Sequence, residues 1–378
     1  MSAEVAAMKK LTLMMLFLLV LCIFGCKTPE VTVEPIKIGY STPLTGDLAS
    51  LGEANHQGIE LALEEINAAG GIAGRPVKLI VEDDRFEGSL TLKAYHKLVD
   101  IDNVDVMLTA TYGGILTTAN LADAAEVVVI NTVDTAEELA QAGEYVFAIG
   151  IYDEGIGYAL ADFANEQDKT TGVMYLTTDP FIALVKDSFL ERFEGDVVIN
   201  EGYGPLDTDF RAQLMKAKDK GVELLVVLGF EEAGRVLKQA REMGIEADFA
   251  GIDIFGTNEL FENSVGTAKG AYFTSWEAQD EEKYSAFLSK YVTKYGQEPE
   301  QAMFTVLGYD AMNIVANAME QVIAEGKEPR GAALKQAIEQ VKDYDGIAGQ
   351  ITMGKDGIVR SIREEMFQII DKGEFEKI

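Results

Sequence analysis

Few residues in this chain are equipped for covalent or metal chemistry. The stretch GQITMGKD (349–356) fits the G-x-x-x-x-G-K spacing of a phosphate-binding loop. That loop needs a Ser or Thr after the lysine to hold Mg²⁺, and Asp356 stands there instead. The segment also reads as strand plus turn, so no nucleotide is expected. The two histidines, His56 and His96, each lack a second His at i+4. They read as exposed helix residues, and no metal site is expected. No G-x-S-x-G elbow occurs, and no nucleophile is paired with a base. Carboxylate pairs such as Asp83–Asp84 and Glu231–Glu232 read as solvated faces rather than acid/base couples. The residues thus describe a protein with no catalytic residues, no metal and no cofactor, and not an enzyme.

The two cysteines lie at the N-terminus. Lys9 and Lys10 precede the apolar run LTLMMLFLLVLCIFG (11–25), then Cys26. A basic start, an apolar core and a small residue at the junction describe a secretory signal, with Met8 as its natural start. The run is too short for a comfortable bilayer span. IFGC resembles a bacterial lipobox, which implies cleavage after Gly25 and a lipid on Cys26. Residues 1–25 are then a lipoprotein signal peptide and 26–35, with two prolines, an extended tether. The expected location is the periplasm or the outer face of a cytoplasmic membrane. The balance of 63 acidic against 32 basic residues, a net charge of −31, repels phosphates and argues against nucleic acid.

With 378 residues the chain exceeds what one core usually organises, so two lobes are expected. Continuous Val/Ile/Leu runs alternate with segments of helical period. IKIGYS (36–41), VKLIVED (77–83), VDVMLT (104–109), VVVIN (127–131) and YVFAI (145–149) form one series. TGVMYL (171–176), DVVIN (196–200), ELLVVLG (223–229), DFAGID (248–253) and GAYFTSW (270–276) form a second. Strands apolar on both faces and separated by helices mean parallel sheet. The fold class is therefore α/β, two doubly wound parallel-sheet lobes. Helices follow near 279–295, 301–325 and 330–341, and the C-terminus alternates as antiparallel strands. NAAGGIAGRP (67–76) is glycine-rich, but it follows a helix and precedes a strand, the reverse of a phosphate loop. Gly70 or Gly71 should supply a left-handed helix stop.

The opening segment IKIGYSTPLTGDLASLGEANHQGIELALEEINAAGGIAGRPVKLIVEDD resembles the leucine/isoleucine/valine-binding proteins, type I periplasmic solute-binding proteins of amino-acid ABC importers. The resemblance continues through DFRAQLMKAKDKGVELLVVLGFEEAGRVLKQAREMGI and covers residues 36 to 378. It implies three crossovers, near residues 150, 275 and 348. The first lobe is then 36–150 plus 276–348, and the second 151–275 plus 349–378. It also implies hinge closure on a small ligand between the lobes and docking on an ABC transporter permease. A ligand-sensing receptor of the same fold is the alternative, as is a binder of amides, urea or aromatic acids.

In open parallel sheets a ligand sits beyond the carboxyl ends of the strands. By the resemblance, an amino-acid carboxylate meets the first lobe near Tyr112, Val133 and Thr135. Thr135 reads equally as a plain helix N-cap before AEEL. Asp253, at a strand end of the second lobe, is expected to meet the ammonium. Asp134 stands where the family has a small residue, and either adds a second anionic contact or points to solvent. Leu51, Phe181 and Phe230 line the side-chain pocket where relatives carry tyrosines, so an apolar or aromatic amino acid is the expected ligand.

Overall fold

The computed structural model describes residues 34–46 and 48–378. Cys22, Cys26, the signal peptide and most of the tether lie outside them. Among the described residues no helix is long and apolar enough to cross a membrane.

From Ile36 onward the two series of apolar runs form two separate sheets. The first holds β1 (Ile36–Thr42), β2 (Val77–Asp83), β3 (Val106–Thr109), β4 (Val129–Asn131) and, at one edge, the strand Val146–Ala148, in the order β2-β1-β3-β4-edge, all parallel. Tyr40, Met107, Leu108 and Ile130 are fully buried within it. The second sheet takes the parallel strands Val197–Tyr203, Thr171–Leu176, Leu224–Leu228, Asp248–Gly251 and Tyr272–Ser275. It ends in an antiparallel pair, Glu365–Asp371 and Glu374–Lys377, as the alternating C-terminal pattern predicts. Helices separate successive strands, so every parallel connection is a crossover.

The glycines after the first helix (Ala49–Ala68) are structural. Gly70 and Gly71 both have positive φ, and the Gly71 N–H donates to Ile66 O at 2.9 Å, closing the last turn. That helix crosses the long helix Ala302–Ala324 at very short range. A Cβ on Gly58 would stand 1.8 Å from Thr305 O, and one on Gly308 2.2 Å from Asn55 O. The crossing is tied by buried Asn55, whose Nδ2 donates to Thr132 O (3.1 Å) and Phe304 O (3.0 Å). Its Oδ1 accepts from Tyr40 Oη (2.6 Å) and Thr132 Oγ1 (2.8 Å). The late helix is thereby fixed to the first sheet.

Two short segments run side by side between the sheets. Residues 149–153 leave the edge strand Val146–Ala148, and residues 357–364 return along it. Ala148 N donates to Gly357 O at 3.0 Å, Val359 N to Ala148 O at 3.1 Å, and Tyr152 N to Ile362 O at 3.0 Å. The pair Ile151–Tyr152 also makes a two-residue parallel ladder with Asp134–Thr135. Thr135 is thus in a strand, not at a helix N-cap. Its Oγ1 accepts from Gly150 N at 2.9 Å, a bond that fixes the exit from the first sheet.

Candidate ligand-binding cleft

The parallel strands of both sheets end toward a common cleft of about 550 Å³. Its walls are the segments that follow those strands: Leu48, Ser50 and Leu51 after the first, Val133–Asp134 after the fourth, and Phe181, Phe230, Asp253 and Trp276 from the second sheet. Phe86, Ile156, Ile254, Met303 and Phe304 add apolar surface.

Local hydrogen bonds hold these segments. Asn131 is the last residue of its strand, and its Oδ1 accepts from the N–H of Val133 (2.8 Å) and Asp134 (2.9 Å). This turn aims Asp134 into the cleft. Glu232 Oε1 accepts from Phe230 N at 3.1 Å and Tyr203 Oη at 3.3 Å, setting the half-buried Phe230 ring. Phe181 rides the start of its helix, behind Pro180 and the capping side chain of Asp179, whose Oδ1 accepts from Ile182 N at 3.1 Å. Trp276 Nε1 donates to Ala348 O at 3.1 Å. Asp84 is fully buried and organises the first-lobe loops. It accepts from Ser41 Oγ (2.7 Å), Thr91 Oγ1 (3.0 Å), Thr111 Oγ1 (2.9 Å) and Phe86 N (3.1 Å). Asp83 accepts from Leu44 N at 3.0 Å and Thr45 Oγ1 at 2.5 Å. Asp83 is exposed, as the solvated-face reading expects, but Asp84 is buried, and the six donors that converge on the pair make it the knot behind one wall.

The cleft is acidic throughout. Among the described residues no Lys, Arg or His lines it, whereas Asp134, Asp153, Asp253, Glu231 and Glu364 do, with exposed Glu259, Glu277, Glu281 and Glu300 farther out. Asp153 and Glu364 are buried, and both Asp153 oxygens, Glu364 Oε2 and Asp134 Oδ2 have no hydrogen-bond partner. Burial raises the carboxyl pKa of Asp134 to about 7, of Asp253 to about 6 and of Glu364 to about 8. Asp153 is pushed up by burial and then by the charges of Asp134, Glu154 and Glu364. The interaction of Asp134 with Asp253, and of Asp153 with Glu364, makes them one group. Among the described residues no three such side chains converge closely enough to hold a metal ion.

Of the residues singled out in the sequence, Leu51, Val133, Asp134, Phe181, Phe230 and Asp253 lie together on this cleft. Tyr112 and Thr135 do not line it. Tyr112 is buried, with its hydroxyl donating to Glu138 Oε2 at 3.0 Å, and Thr135 is buried in the ladder described above. Asp153, Glu364 and Trp276 were not singled out. Asp153 directly follows an apolar pair and opens a helix, where an acid ordinarily serves the helix dipole. Glu364 is hidden in the charged run SIREE. His56 is half-buried near the Tyr40 ring rather than exposed, and His96 is exposed and pairs with Asp100 at 2.7 Å.

Two facing doubly wound sheets and a pair of adjacent connecting segments enclose a cleft sized for a small solute. The chain belongs to the periplasmic binding protein family, whose model matches residues 35–361. It is a solute-binding protein and not an enzyme. It is 26% identical over 322 residues to the leucine-, isoleucine-, valine-, threonine- and alanine-binding protein of Pseudomonas aeruginosa, covering 83% of this chain and 86% of that one. The crystal structure of the branched-chain amino acid transporter substrate-binding protein LivJ from Streptococcus pneumoniae, in complex with isoleucine, superposes with a TM-score of 0.79 at 30% identity. It covers 91% of this chain and 98% of LivJ. A solute-binding protein from Rhodopseudomonas palustris in complex with benzoate shares the fold at a TM-score of 0.75 and 18% identity, over 91% of this chain and 95% of that one.

Proposed function

We propose that this chain is the lipid-anchored solute-binding subunit of an ABC importer, and that it takes an amine-bearing small molecule with an apolar body, an amino acid or a relative of one. The observation that carries this is the cleft itself: phenylalanines and a tryptophan on its walls, with Asp253 beside them at a strand end. Aromatic walls suit an apolar body, and a carboxylate suits an ammonium. The amino-acid ligands in the names of LivJ and the Pseudomonas relative support the same class. In this reading the lobes divide at the segments 149–153, around 276, and after residues 357–359, whose pairing with Ala148 supports a third boundary near 360. Closure about these segments delivers the bound form to a permease outside the membrane.

A panel of amino acids, amines, amides and aromatic acids should include members that raise the melting temperature by mass action. Asp253→Ala should weaken amine-bearing ligands at least tenfold by calorimetry, and unchanged affinity removes Asp253 from the site. In a bacterial host, Cys26→Ser should move the protein from the membrane fraction to the soluble fraction; retention on membranes refutes the lipid anchor.

A further inference from the structure

From the acidic floor of the cleft we infer that its ligand is net cationic: an amine with no free carboxylate beside it, carrying its ammonium group or groups on an apolar body. This rests on the solute-binding reading and narrows it.

The first argument is the missing counter-charge. A zwitterionic amino acid needs donors for its carboxylate. The lining offers no basic side chain among the described residues, and of its neutral donors the Thr257 hydroxyl, Trp276 Nε1 and Gln301 Nε2 already donate to Ile254 O, Ala348 O and Ser50 Oγ. Of the three residues that the family pattern assigns to that carboxylate, Tyr112 and Thr135 do not line the cleft, and Val133 lines it with its N–H already given to Asn131 Oδ1. Asp134 occupies the intervening position and points a partnerless oxygen into a buried site. An incoming carboxylate there meets a like charge or a second acid.

The second argument is independent of the cluster as such. Asp153 and Glu364 are nine-tenths or more buried, line the cleft and have oxygens without partners. Both lie on the two connecting segments. The Tyr152 N–H to Ile362 O bond sets these segments side by side, so the two carboxyls sit just beyond the bonded pair. A buried polar atom without a partner is costly, about 1–3 kcal/mol. A ligand carrying several N–H donors removes that cost from both segments at once. An ammonium has three donors and no acceptor, which matches the Asp153 and Glu364 oxygens once they ionise.

Matched pairs test this by isothermal titration of the full mature chain at pH 8: leucine against 3-methylbutylamine, phenylalanine against phenethylamine, with cadaverine as a dication. At least one amine should bind tenfold or more tightly than its amino acid. In Asp153→Asn and Glu364→Gln, the preferred amine should lose tenfold or more while the fold, checked by circular dichroism, persists. If an amino acid or a neutral or anionic solute binds more tightly than every amine, the inference is overturned and solute binding stands. If nothing in the wider panel binds, both fall. Should either variant fail to fold, the amine-to-amino-acid ratio of the unaltered protein decides alone.

Discussion

Raising the pH of the ligand-free protein from 5 to 8 lowers its melting temperature by about 5 °C or more, the reverse of the trend below pH 4. The sign follows from the direction of the shifts. Asp134, Asp253 and Glu364 have folded pKa values of about 7, 6 and 8, raised above their unfolded values by burial. Asp153 shifts the same way, as does Asp310, to about 6. A raised carboxyl pKa contributes stability that is fully present below the unfolded pKa and is lost as pH rises through the folded one. The window is therefore roughly pH 4 to 8, and each proton kept by the native state costs about 1.4 kcal/mol per pH unit within it. No nearby cation offsets the cleft acids: Asp134 faces Asp179 and Asp253, Asp153 faces Asp134, Glu154 and Glu364, and Glu364 faces Asp253. Asp310 is the exception, since Lys283 opposes the shift and Asp345 adds to it. Carboxylates held low, Glu137 and Asp356 by Arg360 and Asp83 by hydrogen bonds from Thr45 and nearby backbone, lose stability only as pH falls through their folded pKa values, so the optimum lies near pH 5. At about 2–4 °C per kcal/mol for a chain of this size, even two groups give the stated fall. Scanning calorimetry across pH checks it. A melting temperature flat between pH 5 and 8 refutes the buried-acid account. A saturating cationic ligand should flatten the curve, because it binds the ionised floor.

The same acids mark where sequence reasoning reached its limit. The two-sheet architecture is legible because its signal is local. Runs such as LLVVL (224–228) are apolar at every position, and only a strand covered on both faces requires that. The walls of the cleft are legible for the same reason: Phe181, Phe230 and Asp253 stand one or two residues past such runs or at the start of the next helix. The floor is not local. Asp153 and Glu364 are 211 positions apart and meet only because residues 149–153 and 357–364 pair as neighbouring segments. Each carries a bland local reading, one as a first-turn acid and the other as part of a charged run. Thr135 fails in the opposite direction. Its neighbours AEEL fit a capped helix, but a two-residue ladder with Ile151–Tyr152 captures it first. Tertiary pairing overrides a propensity worth only about 1 kcal/mol.

Asp84→Ala should destabilise the protein by about 3–5 kcal/mol and weaken ligand binding, although Asp84 lies behind the wall rather than on the cleft. Its carboxylate is the shared acceptor for the hydroxyls of Ser41, Thr91 and Thr111 and for the Phe86 N–H. These come from the end of the first strand, the second helix, the start of the helix after Thr111, and the loop that carries Phe86 to the cleft. Alanine leaves four donors in a fully buried site without an acceptor, and each hydroxyl must rotate to a poorer partner or go unpaired. Asn keeps one carbonyl acceptor but adds two donors to a place already crowded with donors, so Asp84→Asn should recover only part of the loss. Urea unfolding measures the stability change, and titration at a temperature where the variant remains folded measures binding. A loss below 1 kcal/mol means that water satisfies the freed hydroxyls and the knot does not hold the wall. A full stability loss with unchanged affinity separates the two roles, leaving Phe86 and the first-lobe loops correctly placed without their common acceptor.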